Sequence, residues 1–254
     1  MDIIKNRNPN IFLFFLGFLG IVSIIPLIPK VLALQSAPLP MSLELIQVIS
    51  VLQSSILLLC MVWLGSVCSK KVGLSSPVIV ALTQSQNIIK ALKPQIIPAL
   101  IGGVLGGVCI TLFLGILSPS LPPEFLIAGA KFTPAWYTKV LYGGITEELL
   151  IRWGLMSFLV WGSYRLTQNN GSDVRTHNYI TAIVVSALIF GLGHLPIAFT
   201  LSPEVTVSLV TYIILGNATF GFIAGYLYWK HGLECAIVAH MIAHITMILA
   251  ASFT

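Results

Sequence analysis

The chain has 254 residues, of which 57% are hydrophobic and only 8% are charged, and its mean hydropathy is +0.97. A soluble domain carries roughly 25% charged residues, so this composition excludes a soluble protein and indicates one transmembrane domain over residues 1–254. The net charge of +5 fits the basic loops of a membrane protein, and no basic run exceeds Lys70–Lys71. We therefore expect a lipid bilayer, and no nucleic acid, as a partner.

Seven apolar segments are long enough to cross a membrane as helices, which takes about 20 residues each. We place them at about residues 10–29, 43–67, 96–118, 138–162, 179–199, 205–229 and 232–251. Isolated strands would leave backbone groups unpaired in lipid, and the alternation typical of a barrel is missing from the sequence. The predicted fold class is an all-α, polytopic membrane helical bundle.

The first segment also resembles a signal peptide. Lys5 and Arg7 precede it, and residues 31–33 are compatible with a cleavage site. However, its apolar run is long for a signal sequence, and Lys30 lies just before that site. We predict a retained first span.

Residues 70–93 mix apolar and polar side chains and leave two alternatives open. They predict either a helix lying in the membrane interface or an eighth, marginal span. The proline-rich stretch 118–134 predicts an ordinary loop.

The third segment contains two overlapping GxxxG patterns, formed by Gly102, Gly103, Gly106 and Gly107. Such patterns let a second helix approach closely. We favour packing within the bundle over dimerisation, and the oligomeric state stays open.

The distribution of Lys and Arg predicts the orientation. With seven spans and a cytoplasmic N-terminus, nine basic residues lie inside, whereas only Lys30, Lys131 and Lys139 lie outside. An eighth span would reverse one half of the molecule. We expect a multi-pass protein in the plasma membrane of a bacterium.

Six ionisable residues lie well inside the predicted spans, and they are Glu147, Glu148, Arg152, His194, His240 and His244. A charge at the bilayer centre costs at least ~2.5 kcal/mol, so such residues usually face the bundle interior, pair with each other and serve a function.

Glu148 and Arg152 are four residues apart, so they share one helical face and can form an ion pair. Glu147 lies about 100° further round the helix and lacks that partner. It is therefore free to act as a base. The alternative is a salt bridge that only fixes helix packing.

The histidines leave further alternatives open. His194 follows Phe190 by one turn, and it is either a reactive group or a hydrogen-bonded packing residue. His240 and His244 have the i, i+4 spacing of helical zinc sites, but interhelical hydrogen bonding and haem ligation also fit. The carboxylates and imidazoles fall in one half of the predicted bundle, where they can converge to activate water.

Three motifs carry a resemblance to a known family. They read Glu147-Glu148-x-x-x-Arg152, Phe190-x-x-x-His194 and His240-x-x-x-His244. In this order they resemble the CAAX-protease and bacteriocin-processing family of intramembrane peptidases, whose last motif is HxxxN or HxxxD. The resemblance covers a catalytic motif region at about residues 138–251. It implies a helical endopeptidase that acts on a membrane-anchored protein or peptide. In the Ras-converting type, the substrate is a prenylated CAAX protein that loses three C-terminal residues.

The same resemblance implies a role for each residue. Glu147 is the general base on water, His194 assists it, and Arg152 holds Glu148. His240 and the residue at position 244 stabilise the oxyanion. Bacteriocin maturation, self-immunity and a non-catalytic membrane scaffold are the alternative functions.

Position 244 departs from the family pattern, because histidine replaces Asn or Asp. A histidine is a better metal ligand, so zinc held by His194, His240 and His244, with Glu147 as base or fourth ligand, is one alternative. A metal-independent, glutamate-based hydrolase is the other. The charge count also predicts a site in the outer half, whereas prenyl-protein processing requires a cytosolic opening.

Overall fold

The computed structural model describes residues 8–34, 40–168 and 172–253. These residues form helices joined by short turns and contain no strand, which confirms the all-α prediction. Among them, six helical stretches are long and apolar enough to cross a membrane, namely Pro9–Leu32, Leu43–Val72, Ile88–Ser120, Thr176–Leu201, Val207–His231 and Leu233–Ala251. The chain is an integral, multi-pass membrane protein.

The first stretch contains helix α1 (Pro9–Ser23), a 3₁₀ turn (Ile25–Leu27) and helix α2 (Ile28–Leu32). The side chain of Asn8 caps α1 by accepting a hydrogen bond from the backbone of Asn10. Leu13 and Ile21 of α1 are fully buried, so α1 packs into the core of the bundle.

The second stretch contains α3 (Leu43–Ser69) and a 3₁₀ turn (Lys70–Val72). The following α4 (Pro77–Thr83) has only seven residues, which is too short to cross a bilayer. Residues 70–93 therefore do not form an eighth span. They also do not form one interfacial helix, because they are divided between the 3₁₀ turn, α4 and the beginning of α5 (Ile88–Leu117). The third span therefore begins earlier than the predicted residue 96.

The prediction of an ordinary loop over residues 118–134 is wrong. This region forms a 3₁₀ turn (Ser118–Ser120) and helix α6 (Pro123–Lys131). Proline in the first turn is compatible with a helix, because its missing N–H has no intrahelical partner there. Phe125 is buried and packs with Leu209, and this contact fixes α6 against the bundle.

The segment that carries the two adjacent glutamates is helical from residue 136 to residue 167, and we call it the site helix. It consists of α7 (Trp136–Thr138), two π-helices (Lys139–Glu147 and Leu149–Met156) and α8 (Ser157–Thr167). The junction residues keep a right-handed helical backbone, so these parts are continuous. The site helix is not one of the six long apolar stretches, and the seventh span remains a prediction.

Helices α1 and α3 hold the site helix in place. The hydroxyl of Thr146 donates a hydrogen bond to the carbonyl oxygen of Gly17 at 2.7 Å. The indole N–H of Trp153 donates to the carbonyl oxygen of Val62 at 3.2 Å. The first two spans, in which the sequence shows only hydrophobicity, therefore position the helix that bears the glutamates.

The remaining helices are α9 (Thr176–Leu192), α10 (Leu195–Leu201), α11 (Val207–His231) and α12 (Leu233–Ala251). The predicted span 179–199 is broken after Leu192, so His194 lies at the junction of α9 and α10. Gly232 connects α11 to α12 with a φ of 107°, a conformation that favours glycine.

The glycines of α5 lie at helix contacts within this chain, as predicted. A Cβ atom on Gly102 would lie 2.7 Å from the Leu227 side chain on α11. On Gly103 it would lie 2.7 Å from the carbonyl oxygen of Ala239 on α12. The glycines of α5 therefore contact two other helices of the same chain, α11 and α12.

Candidate active site

A cavity of about 650 Å³ lies between the site helix, α1–α3 and the last four helices. Four of the predicted residues line it, and they are Glu147, His194, His240 and His244. A separate wall of the cavity is aliphatic and comes from the end of the first stretch, with Ile24, Leu27, Ile28, Val31 and Leu32. Charged groups and an apolar surface thus face the same space.

Behind this cavity, Glu148 and Arg152 form an ion pair in which Arg152 Nε lies 3.2 Å from Glu148 Oε2. Neither side chain is exposed. The Arg152 guanidinium also lies over the Phe190 ring, with Cζ 5.5 Å from the ring centroid, where the ring face attracts a cation. The predicted pair is therefore present, and Phe190 of the second motif covers its cation.

Glu148 also contacts the third motif. Its Oε1 accepts a hydrogen bond from His240 Nδ1 at 2.9 Å. This bond fixes the imidazole tautomer and directs Nε2 of His240 towards the cavity. The His240 ring is further held by the Phe220 ring, at a centroid distance of 4.4 Å. Glu148 thus joins Arg152 to His240, and through them the site helix to α12.

His194 is oriented in a similar way by the end of α9. Its Nδ1 lies 2.8 Å from the carbonyl oxygen of Phe190, and because a carbonyl only accepts, Nδ1 is the donor. In a neutral imidazole, Nε2 is then an unprotonated acceptor. The break after Leu192 leaves His194 partly exposed.

Glu147 lies between the two histidines. Its Oε1 is 3.9 Å from His194 Nε2, and its Oε2 is 4.0 Å from His240 Nε2. Its side chain is 17% exposed, whereas that of Glu148 is completely buried. The adjacent glutamates therefore have different surroundings, and the one without an arginine partner reaches the cavity.

His244 stacks on His240, with ring centroids 4.8 Å apart and an angle of 17° between the rings. Its Nε2 packs against Gly143, where a Cβ atom would lie only 2.5 Å away. The ring therefore needs a glycine at position 143.

This arrangement does not fit the zinc alternative. Within the described ranges, no group of three or more His, Cys, Asp or Glu side chains is placed to hold a metal ion. The imidazole lone pairs lie in the ring planes, so the stacked His240 and His244 do not direct them at one point.

The other residues that line the cavity, which sequence reasoning did not select, include Lys139, Tyr142, Asn217 and Phe220. Lys139 lies at the end of a predicted span, and the other three carry no charge. Lys139 precedes Glu147 by eight residues, or two i, i+4 steps, so the helical face of Lys139 was predictable although its place in the cavity was not. Asn217 donates to the carbonyl oxygen of Ile213 at 2.8 Å.

Fold and site together define a helical membrane protein with a carboxylate–imidazole centre in a cavity between its helices. The model of a protein family described as "Type II CAAX prenyl endopeptidase Rce1-like" matches residues 129–246. This match confirms the resemblance carried by the three motifs, all of which lie within the matched residues. No curated protein and no solved structure matches the chain.

Proposed function

We propose that this protein is an intramembrane endopeptidase that hydrolyses a peptide bond of a membrane-anchored protein or peptide, with water activated by Glu147 and His194. One observation carries the proposal. Glu147 is the carboxylate of the adjacent pair that faces the cavity, and His194 directs Nε2 at it from 3.9 Å. The family match supports the class of reaction.

In this mechanism, a water molecule is hydrogen-bonded to Glu147 and to the unprotonated Nε2 of His194. A single water can bridge polar groups across such a separation. Glu147 accepts the water proton while the oxygen attacks the carbonyl carbon. When the tetrahedral intermediate collapses, the C–N bond breaks and the proton passes to the leaving amine.

The developing oxyanion requires a hydrogen-bond donor, and His240 is placed to supply it. As an imidazolium, His240 donates from Nδ1 to Glu148 and presents its Nε2–H to the cavity. Arg152 acts indirectly, because it holds the Glu148 carboxylate that orients His240. His244 supports His240 by ring stacking.

The aliphatic wall of the cavity suits the acyl or prenyl chain of a lipid-anchored substrate. Its five side chains come from α2 and the turn before it, next to the polar centre. Such a substrate reaches the site laterally from the bilayer. We place the protein in the plasma membrane of a bacterium, with a prenylated CAAX-type protein as the substrate that carries such a chain; bacteriocin maturation is the alternative function.

A genetic experiment tests this function. Membrane proteins and peptides are compared by C-terminal mass spectrometry in cells that lack the gene, with complementation by the wild type or by Glu147→Gln. We expect uncut C-termini in the deletion, and their processing only with the wild type. Restoration by Glu147→Gln would favour a scaffold that uses these charges for packing. A deletion that alters no membrane protein or peptide would contradict a processing role.

A further inference from the structure

Away from the cavity, two lysines lie over tryptophan rings at one end of the bundle. Lys71, in the 3₁₀ turn after α3, places its Nζ 5.3 Å from the centroid of the Trp161 ring on the site helix. Lys230, in the last turn of α11, places its Nζ 3.6 Å from the centroid of the Trp229 ring. Both lysines are exposed, and the proposed hydrolysis uses neither of them.

The two lysine–tryptophan pairs belong to one surface, because Tyr179 of α9 connects them. The Tyr179 hydroxyl donates a hydrogen bond to the carbonyl oxygen of Val72, the residue after Lys71. The Tyr179 ring stacks on the ring of Trp229, with centroids 4.8 Å apart and an angle of 15° between the rings. The ends of α3 and α11, the beginning of α9 and the site helix therefore meet at this surface. We call it the lysine–tryptophan cluster, and its members are Lys71, Trp161, Tyr179, Trp229 and Lys230.

The cluster carries more positive than negative charge. Among the residues that the structure describes, the carboxylates that form ion pairs do so with Arg152, His194 and His240, and none pairs with a lysine of the cluster. Lys70 adds a further exposed cation beside the cluster. Asp173, which is exposed and acts on the Tyr179 hydroxyl, is an acidic group at its edge. An anionic ligand is therefore attracted to this surface.

The position of the cluster indicates which anion fits. It lies where membrane-spanning helices end, at the level of the lipid headgroups, and Trp and Tyr are typical of this interface. A lysine over an aromatic ring still directs N–H groups away from the ring, where phosphate oxygens accept them. Exposed apolar side chains continue from the cluster towards the middle of the membrane, with Val67 on α3 and Ile180 and Val184 on α9. They offer a surface for acyl chains, which a soluble phosphate lacks.

We propose that the lysine–tryptophan cluster binds the headgroup of an anionic phospholipid, whose phosphate contacts Lys71 and Lys230 and whose acyl chains lie along α3 and α9. This inference goes beyond the proposed function and does not depend on it. The lipid connects α3, which holds the site helix through the bond from Trp153 to Val62, to α11. Its binding should therefore raise the melting temperature of the whole bundle.

The test is native mass spectrometry of the purified full-length protein in detergent, with phosphatidylglycerol and phosphatidylcholine that have the same acyl chains. We expect the wild type to bind phosphatidylglycerol at least about tenfold more tightly. Lys71→Gln and Lys230→Gln should each weaken its binding about fivefold, from the usual contribution of one basic residue at an anionic surface, whereas Lys71→Arg should retain it. Each variant is melted without lipid to establish that it is folded.

Lys90→Gln is the matched control. Lys90 is an exposed lysine near the beginning of α5, and the described residues place no aromatic ring under it. Its replacement removes the same charge and should leave the preference for phosphatidylglycerol unchanged. An equal loss in Lys90→Gln would overturn the proposal, since it would show attraction by overall basic charge with no defined site.

Two further outcomes decide the assignment. A preference for phosphatidylglycerol that survives the removal of both Lys71 and Lys230 would contradict it. Glycerol phosphate carries the same anionic group without acyl chains and should not displace the bound lipid. Displacement at equal concentration would overturn the lipid as ligand, in favour of a soluble phosphate. None of these measurements needs peptide cleavage, so they remain decisive if the proposed hydrolysis fails its own test.

Discussion

Replacement of Arg152 by alanine is expected to destabilise the protein as well as to inactivate it. Arg152 and Glu148 are both completely buried and lie 3.2 Å apart. Removal of one partner leaves the other as an uncompensated buried charge, which costs about 3–5 kcal/mol. The lost contact with the Phe190 ring adds to this cost, whereas the hydrogen bond from His240 to Glu148 partly offsets it.

We therefore expect a loss of about 3 kcal/mol, which corresponds to a melting temperature lower by roughly 6–12 °C for a chain of this size. Tryptophan fluorescence during thermal unfolding in detergent measures this shift. Arg175→Ala is the matched control, because Arg175 is exposed. The combination of Arg152→Met with Glu148→Gln should recover part of the stability, since it removes both charges. If Arg152→Ala loses turnover without a lower melting temperature, Arg152 acts on the substrate and our assignment is wrong.

Three further results are expected. Gly103→Ala should lower the melting temperature, because the new Cβ would lie 2.5 Å from Ile242 Cβ and overpacking costs about 1–3 kcal/mol. Gly115→Ala is the control, since a Cβ at this position of the same helix meets nothing within 4 Å and should not lower the melting temperature. Thr146→Val should cost about 1 kcal/mol in the same assay, since it removes a buried hydrogen bond to α1, and an unchanged melting temperature would show that this bond does not hold the site helix. Exhaustive chelation should leave peptide cleavage intact, while elemental analysis finds well under one metal ion per chain. A loss of cleavage that added zinc restores would instead support the zinc site formed by the three histidines.

The local contacts of the site were predictable because they depend on spacing within one helix. The i, i+4 interval of Glu148 and Arg152 predicted their ion pair, and the interval from Phe190 to His194 predicted two rings on one face. The orientation of the N-terminus and the extent of a single domain over residues 1–254 stay predictions.

Contacts between helices were not predictable in the same way, because spacing along a segment does not fix how one helix rotates against another. The hydrogen bond from His240 to Glu148 and the position of Lys139 in the cavity depend on that rotation. The π-helical backbone over Lys139–Glu147 was also missed, since a pattern of apolar residues does not distinguish i, i+4 from i, i+5 hydrogen bonding. Helix α6 is not predicted by the sequence pattern, because prolines are typical of loops as well as of the first turn of a helix.

The central claim is that Glu147 activates water for peptide hydrolysis, and one measurement tests it most directly. Cleavage of a lipid-anchored peptide library is followed by mass spectrometry with purified wild type and Glu147→Gln, and both proteins are melted in the same detergent. The partly exposed carboxylate of Glu147 is exchanged for an amide of nearly equal size, so folding should be kept. Our account predicts that Glu147→Gln melts at the wild-type temperature but cleaves the peptides at least about a hundredfold more slowly. Undiminished cleavage by Glu147→Gln would contradict it.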